Sequence, residues 1–274
     1  MGKLIFQTIP LCLILILPLL SDGPAALFTQ SSPRVQAREV TAFVYADGGF
    51  VQQLTPGSAT YTSNFDANGF GSFGWKFTNP TGAPLQNLRF VVFLDADIDR
   101  DINTFFNEYG SLVGLALPPG APSGAIAASS WEIDEPGFLF GNIAQHLLTG
   151  NLDNSNGVPS AAPDDVSLAL GFQFGTLAPG ASLTGNFLIG QTAIGGLKQT
   201  DPDSGADLYF NGYLKFASTP PTIAASTIAR QQGSPTTAAI IATVSDDLTP
   251  TANLAVVPLS VPQGLSIEIG RAHV

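Results

Sequence analysis

Cysteine is nearly missing from this chain. The single one, Cys12, lies in an apolar run near the N-terminus. Beyond that run there is no thiol to form a disulfide, a thiolate metal site or a cysteine nucleophile. Charge is scarce too: Asp, Glu, Lys and Arg make up 11% of 274 residues, against about 25% in an ordinary soluble domain. Histidine occurs only at His146 and His273, and methionine only once. No Gly-x-Ser-x-Gly elbow, His-Glu-x-x-His zinc motif or phosphate-cradling Gly-Lys-Ser/Thr loop is present. The familiar nucleophile, zinc and nucleotide chemistries are thereby excluded.

Glycine (29), proline (21) and phenylalanine (19) are abundant, and 45% of the residues are apolar. The helix formers Lys, Glu, Met and Arg are scarce. Short strands joined by Gly/Pro turns satisfy this composition better than helices do. The expected fold is all-β: an antiparallel β-sandwich, jelly-roll or immunoglobulin-like.

The two ends are read separately. Lys3 precedes an apolar stretch, Leu4 to Leu20, which is broken at Ser21-Asp22-Gly23-Pro24. This is the pattern of a secretory signal, with small-residue cleavage options after Ala26 or Ala37. Residues 1–37 are therefore assigned to a signal peptide and leader. At the other end, Glu268 to Val274 reads EIGRAHV and resembles a sequencing adapter translated in frame. Residues 269–274 are taken as foreign to the natural protein, so Arg271 and His273 carry no functional argument, and the natural chain is expected to continue. Between these ends stand 7 basic and 20 acidic residues, a formal net charge of −13. Such a chain repels phosphate backbones, which speaks against nucleic acid as a partner. It suits solubility outside the cell and divalent cations.

Strands are expected at Val40 to Tyr45, Ala59 to Asn64, Phe73 to Phe77, Leu88 to Leu94, Ala127 to Ile133, Ser182 to Ile189 and Leu208 to Phe216. In the last of these, Asn211-Gly212 reads as a bulge or tight turn. Asp165 to Thr176 alternates most cleanly. Val166, Leu168, Leu170, Phe172 and Phe174 share one face, which predicts a half-buried strand. Phe73, Trp75 and Phe77 are likewise in phase. Gly141 to Leu148 is the one helical stretch, with Asn142 as candidate cap. A linker at Ser218 to Pro221 divides the chain. Residues 38–218 form the main sandwich and residues 219–268 a second module, with strands expected at Ile223 to Ile228, Ala239 to Ser245, Asn253 to Val257 and Leu265 to Glu268.

Several motifs carry resemblances. FTNPTGAPLQNLRF is similar to the strand, Asn-rich turn and antiparallel strand of bacterial extracellular β-sandwich modules. VVFLDADID, TFFNEYG and LKQTDPDSGADLYFNGYL resemble domains of sorted bacterial surface proteins of the PEP-CTERM type. TPPTIAAS followed by IIATVSDD resembles the start of an immunoglobulin-like or cadherin-like repeat. These resemblances imply a surface or matrix role and bring no catalytic residues with them. Membrane attachment would come only from the signal segment or from a C-terminal anchor beyond the present sequence.

The candidate chemistry lies where the apolar run Phe90 to Leu94 meets a comb of carboxylates. A buried strand cannot carry Asp95, Asp97, Asp99 and Asp101 onward unless something positive or strongly hydrogen-bonding meets them. From Asp97, the series Asp97, Asp99, Asp101, Asn103, Phe105 and Glu108 has the spacing of a calcium loop. Ile102 stands where such a loop needs glycine, and the flanks read as strand. A looser oxygen-ligand site for Ca2+ is therefore expected from Asp95, Asp97, Asp99, Asp101 and Glu108. The competing reading is a solvated strand end.

Other acidic groups invite similar readings. Asp201, Asp203 and Asp207 read as an Asx turn. Asp164-Asp165 read as turn caps, and Asp246-Asp247 as a turn or a calcium ligand pair at a repeat junction. Glu132, Asp134 and Glu135 could serve a carboxylate-dependent glycoside hydrolase. Trp75 and Trp131 could stack on a sugar or pack in a core. His146 reads as a surface or packing residue. The reading that results is a secreted or cell-surface structural or adhesive sandwich without catalysis, possessing a surface or matrix partner. The alternatives are a carbohydrate-binding module and a glycoside hydrolase.

Overall fold

A computed structural model describes residues 34–101, 103–137, 140–217, 222–226, 240 and 242–245. Residues 1–33 of the leader, Asp246-Asp247, the strands expected after residue 250 and the EIGRAHV tail lie outside the described residues.

The chain folds as two antiparallel sheets packed face to face. One has five strands in the order β2 (Gly49–Leu54), β1 (Val35–Ala46), β5 (Leu88–Ile98), β8 (Ser167–Phe174) and β7 (Ser130–Asp134). The other has six: β3 (Tyr61–Phe65), β4 (Gly71–Thr78), β9 (Ser182–Gly190), β11 (Ala206–Ala217), β10 (Gly196–Asp201) and β6 (Tyr109–Gly114). A short ribbon pairs β12 (Thr222–Ala225) with β13 (Ala242–Ser245). The sandwich takes in Val35 to Ala37, which the sequence reading placed in the leader. Val35 and Ala37 are buried core residues, so cleavage after Ala37 would cut into β1.

The core between the sheets is aromatic. Phe187 lies at its centre, with ring centroids 5.5 Å from Phe73, 5.9 Å from Phe90, 5.9 Å from Phe172 and 6.2 Å from Trp75. Each such ring removed from water contributes about 1.5–3 kcal/mol. Space for Phe187 is made by glycine: a Cβ on Gly212 would stand 2.4 Å from its Cδ1. The Asn211-Gly212 pair is accordingly no turn. It continues β11 in unbroken register with Leu188 and Phe187 on β9. Phe73, Trp75 and Phe77 share the inward face, as their spacing required.

Two expectations fail for one reason, the presence of further layers and crossings that a period cannot reveal. The Asn79-Pro80-Thr81-Gly82 segment does not close a hairpin. It carries the chain from β4 in one sheet to β5 in the other. It pairs there with the crossing from β8 to β9 through a bridge between Leu85 and Leu177. The buried Asn79 side chain holds both: its Nδ2 donates to Ala83 O and Leu177 O at 2.9 Å, and its Oδ1 accepts from Thr81. Nor is β8 half-buried. On its second face Ser167 and Ala169 are fully buried, and Ala169 lies beneath a helix, α1 (Ile143–Thr149). Ile143 and Leu147 of that helix pack on Phe43, Tyr45, Val91, Phe93 and Ala169.

Asn142 does occupy the N-cap position of α1, but its side chain makes no capping bond. Asp134 Oδ2 supplies the cap instead, accepting from the N–H groups of Asn142 at 2.6 Å and Ile143 at 3.2 Å. Gly150 ends the helix in the left-handed region, φ 67°. It also lies against the Tyr45 ring, where a Cβ would stand 2.5 Å from Cδ2. Tyr45 in turn donates its hydroxyl to Leu147 O.

Candidate acidic site

The outer face of the five-stranded sheet is divided. Alternate residues of β1, β5 and β8 point outward. Near one end they are Phe43, Tyr45, Val91 and Phe93, beneath α1. Towards the other they become acidic. One row across four strands reads Glu39, Asp95, Ser167 and Asp134. Beside it stand Asp97 and, two residues before Ser167, Asp165. Oxygen atoms of Asp95, Asp97 and Asp165 all lie within 4.8 Å of one another.

These groups are poorly compensated. Asp95 is 6% exposed, and its Oδ1 is buried with no hydrogen-bond partner among the described residues. Burial, followed by the charges of Asp165, Asp97 and Glu39, holds its carboxyl well above the usual range. Burial and Asp97 push Asp165 up to about 6, and its Oδ1 also lacks a donor. Glu39, raised by burial, accepts from Thr41 at 3.1 Å. The nearby guanidiniums both go to a single atom, Asp97 Oδ2: Arg100 at 2.6 Å and Arg38 at 3.7 Å.

The five residues expected to hold a cation are thus separated. Asp95 and Asp97 fall in the cluster, and Asp165 joins them. Asp99 leaves the strand with φ 51° and pairs with Arg34 at 3.4 Å. Its Oδ2, like Asn103 Oδ1 and Asn107 Oδ1, has no donor. Asp101 is exposed. Glu108 is fully buried and links the two sheets. Its Oε1 accepts from the Ile98 N–H at 2.8 Å, and its Oε2 accepts from Gln199 Nε2, which also donates to Ala96 O. Burial outweighs these two donors and pushes Glu108 up to about 9, so at neutral pH it is a neutral acid.

The other acidic groups have structural tasks. Asp201 closes the β10–β11 turn, accepting from Asp203 N–H, Ser204 and Asn103. Glu132 is fully buried on β7 beneath α1 and receives His146 Nδ1 at 2.8 and 2.9 Å. His146, read from sequence as a lone surface or packing residue, therefore has an acidic partner. That bond raises the imidazole above its ordinary value, while burial raises Glu132. Asp153 completes a second group with them.

Glu39 and Asp165 were missed as members of the acidic site. The only trace of Asp165 in the sequence is its phase: counting back by twos from Ala169 places it on the outer face. Trp131 is half-buried against the core. A separate groove of about 690 Å³ runs over the outer face of β4, β9 and β11, lined in part by Ser72, Thr184, Asn186, Tyr213 and Lys215. Asn186 Nδ2 donates to the Tyr213 hydroxyl at 2.9 Å.

No protein-family model matches the chain, and no curated protein or solved structure matches it either.

Proposed function

We propose that this chain is a structural or adhesive β-sandwich module that works outside the cell, secreted or held at the surface, by binding or bearing load and not by catalysis. One observation carries the reading. The carboxylates of Glu108, Glu132, Asp134 and Asp201 each end in a contact that ties a strand end, the helix or a turn, and do not converge on an open cleft. The leader-like N-terminus and the acidic, thiol-free remainder support export. The β12–β13 ribbon fits the opening strands of a second, immunoglobulin-like module. The partner would be a surface or matrix component.

Antibody labelling of intact producing cells, together with fractionation, tests this. Label on intact cells or in the medium is expected, and loss of surface attachment or cohesion when the gene is deleted. Confinement to the cytoplasm overturns it, as does glycan hydrolysis that disappears in Glu132→Gln.

A second reading, glycan binding, is favoured by the Tyr213 groove and not by Trp131. Its walls offer hydroxyl, amide and ammonium groups beside the Tyr213 ring, the mixture that sugars engage. Binding on a glycan array that is lost in Tyr213→Ala would support it. No binding to any glycan would leave the structural reading alone.

A further inference from the structure

We propose that Asp95, Asp97 and Asp165 hold a calcium ion on the outer face of the five-stranded sheet, with Glu39 as a fourth carboxylate beside it. An acidic cluster alone would not carry this. The second observation is Asp95 itself: 6% exposed, bearing a buried Oδ1 without a partner, and turned towards the oxygens of Asp97 and Asp165 within 4.8 Å. A buried polar atom with no partner costs about as much as a lost hydrogen bond, and a charged one more. Among the described residues, nothing donates to it.

Charge points the same way. Four carboxylates share this end of β1, β5 and β8. Among the described residues only two guanidiniums approach, and both meet Asp97 Oδ2. The excess is that of a divalent cation. The donors are all oxygen, with no imidazole or thiolate, so the ion is a hard one. Several carboxylates on a partly buried face fit calcium, which takes six to eight oxygens in loose geometry. Magnesium demands a tight octahedron and keeps its waters. Bound there, the ion would join three neighbouring strands that otherwise repel at this point.

This deepens the surface reading and rests on it for occupancy, since extracellular modules hold calcium at about 10⁻⁴–10⁻³ M. The test uses the full chain, stripped with chelator and titrated with calcium chloride by calorimetry and thermal melting, with magnesium chloride in parallel. One calcium per chain is expected in this cluster. Its melting temperature should rise by ~3–5 °C at ten times the dissociation constant. Asp95→Asn and Asp165→Asn should abolish both signals, while Asp101→Asn keeps them. Asp95→Asn should melt no lower than the parent in chelator, which separates loss of binding from loss of folding.

Absence of heat and of any shift at ~10 mM calcium, well above that affinity range, overturns the proposal. So does a shift that survives Asp95→Asn, or one lost instead in Asp99→Asn, which would move the ion into the following loop. An equal response to magnesium overturns the assignment to calcium. None of these failures touches surface location, which cell labelling reads independently.

Discussion

Glu39 on β1 and Asp95 on β5 are direct cross-strand partners, two carboxylates in one row of the five-stranded sheet. Like charges placed so are destabilising, and Asp95 is also buried without a donor. In chelator at neutral pH, Asp95→Asn should therefore stabilise the chain by ~1 kcal/mol. Urea denaturation measures it, and a loss of stability would show that Asp95 has a favourable partner in the metal-free protein.

Glu108 makes stability depend on pH. Its folded pKa, about 9, lies above the ordinary 4.5, so the folded state keeps a proton that the unfolded chain releases. The contribution is fully present below 4.5 and is lost as pH rises towards 9. Stability should fall over that window by at most ~1.4 kcal/mol per pH unit from this one group. Glu108→Gln should flatten the slope. An unchanged slope in the variant would assign it elsewhere.

The Glu132–His146 bond anchors α1 over the sheet. His146→Ala leaves a buried carboxylate without its partner and should cost ~2–3 kcal/mol. In a Glu132→Gln background the same change should cost much less, which a double-mutant cycle reads as coupling. The raised imidazole gives a contribution that is fully present below its ordinary 6.5 and lost as pH rises through its folded value, while the raised Glu132 gives one that is lost earlier, as pH rises from 4.5 through its own folded value. Additive effects of the two changes would deny the coupling.

Asn79 joins the two crossings between sheets. Asn79→Ala removes donors to Ala83 O and Leu177 O and the acceptor for Thr81, in a residue 2% exposed. A cost of ~2–4 kcal/mol is expected in denaturant melts. A change below ~0.5 kcal/mol, the range of neutral surface positions, would mean the crossings need no such tie.

Much of this fold was legible in the chain. The in-phase Phe73, Trp75 and Phe77 face inward, and Val166 to Phe174 alternates as a strand must. What stayed hidden was what covers the second face. Ala169 and Gly171 look like a solvent-side pattern until α1 covers the first and Ser130 and Leu152 the second, and nothing local tells where a helix docks. The strand β2 was missed although Asp47-Gly48, with φ 51° and 79°, is the turn signal that precedes it. At the acidic site, Asp95 and Asp97 were readable because they follow an apolar run. Asp165 and Glu39 were not, since only pairing across three strands brings them there. Glu108 misled for the opposite reason. Its spacing imitates a ligand position, yet the side chain turns inward to Ile98 and Gln199.

The two ends of the sandwich are fastened unequally. Beyond Leu88, the crossings are zipped by backbone bonds and a neutral amide that no change in solution can switch off. Beyond Ile98, closure leans on one protonated acid, Glu108, and on carboxylates that outnumber the guanidiniums paired with Asp97 and Asp99. Alkaline or ion-poor surroundings would loosen that end alone, so hydrogen exchange should begin there and travel towards the Asn79 lock. The module has a direction in which it frays.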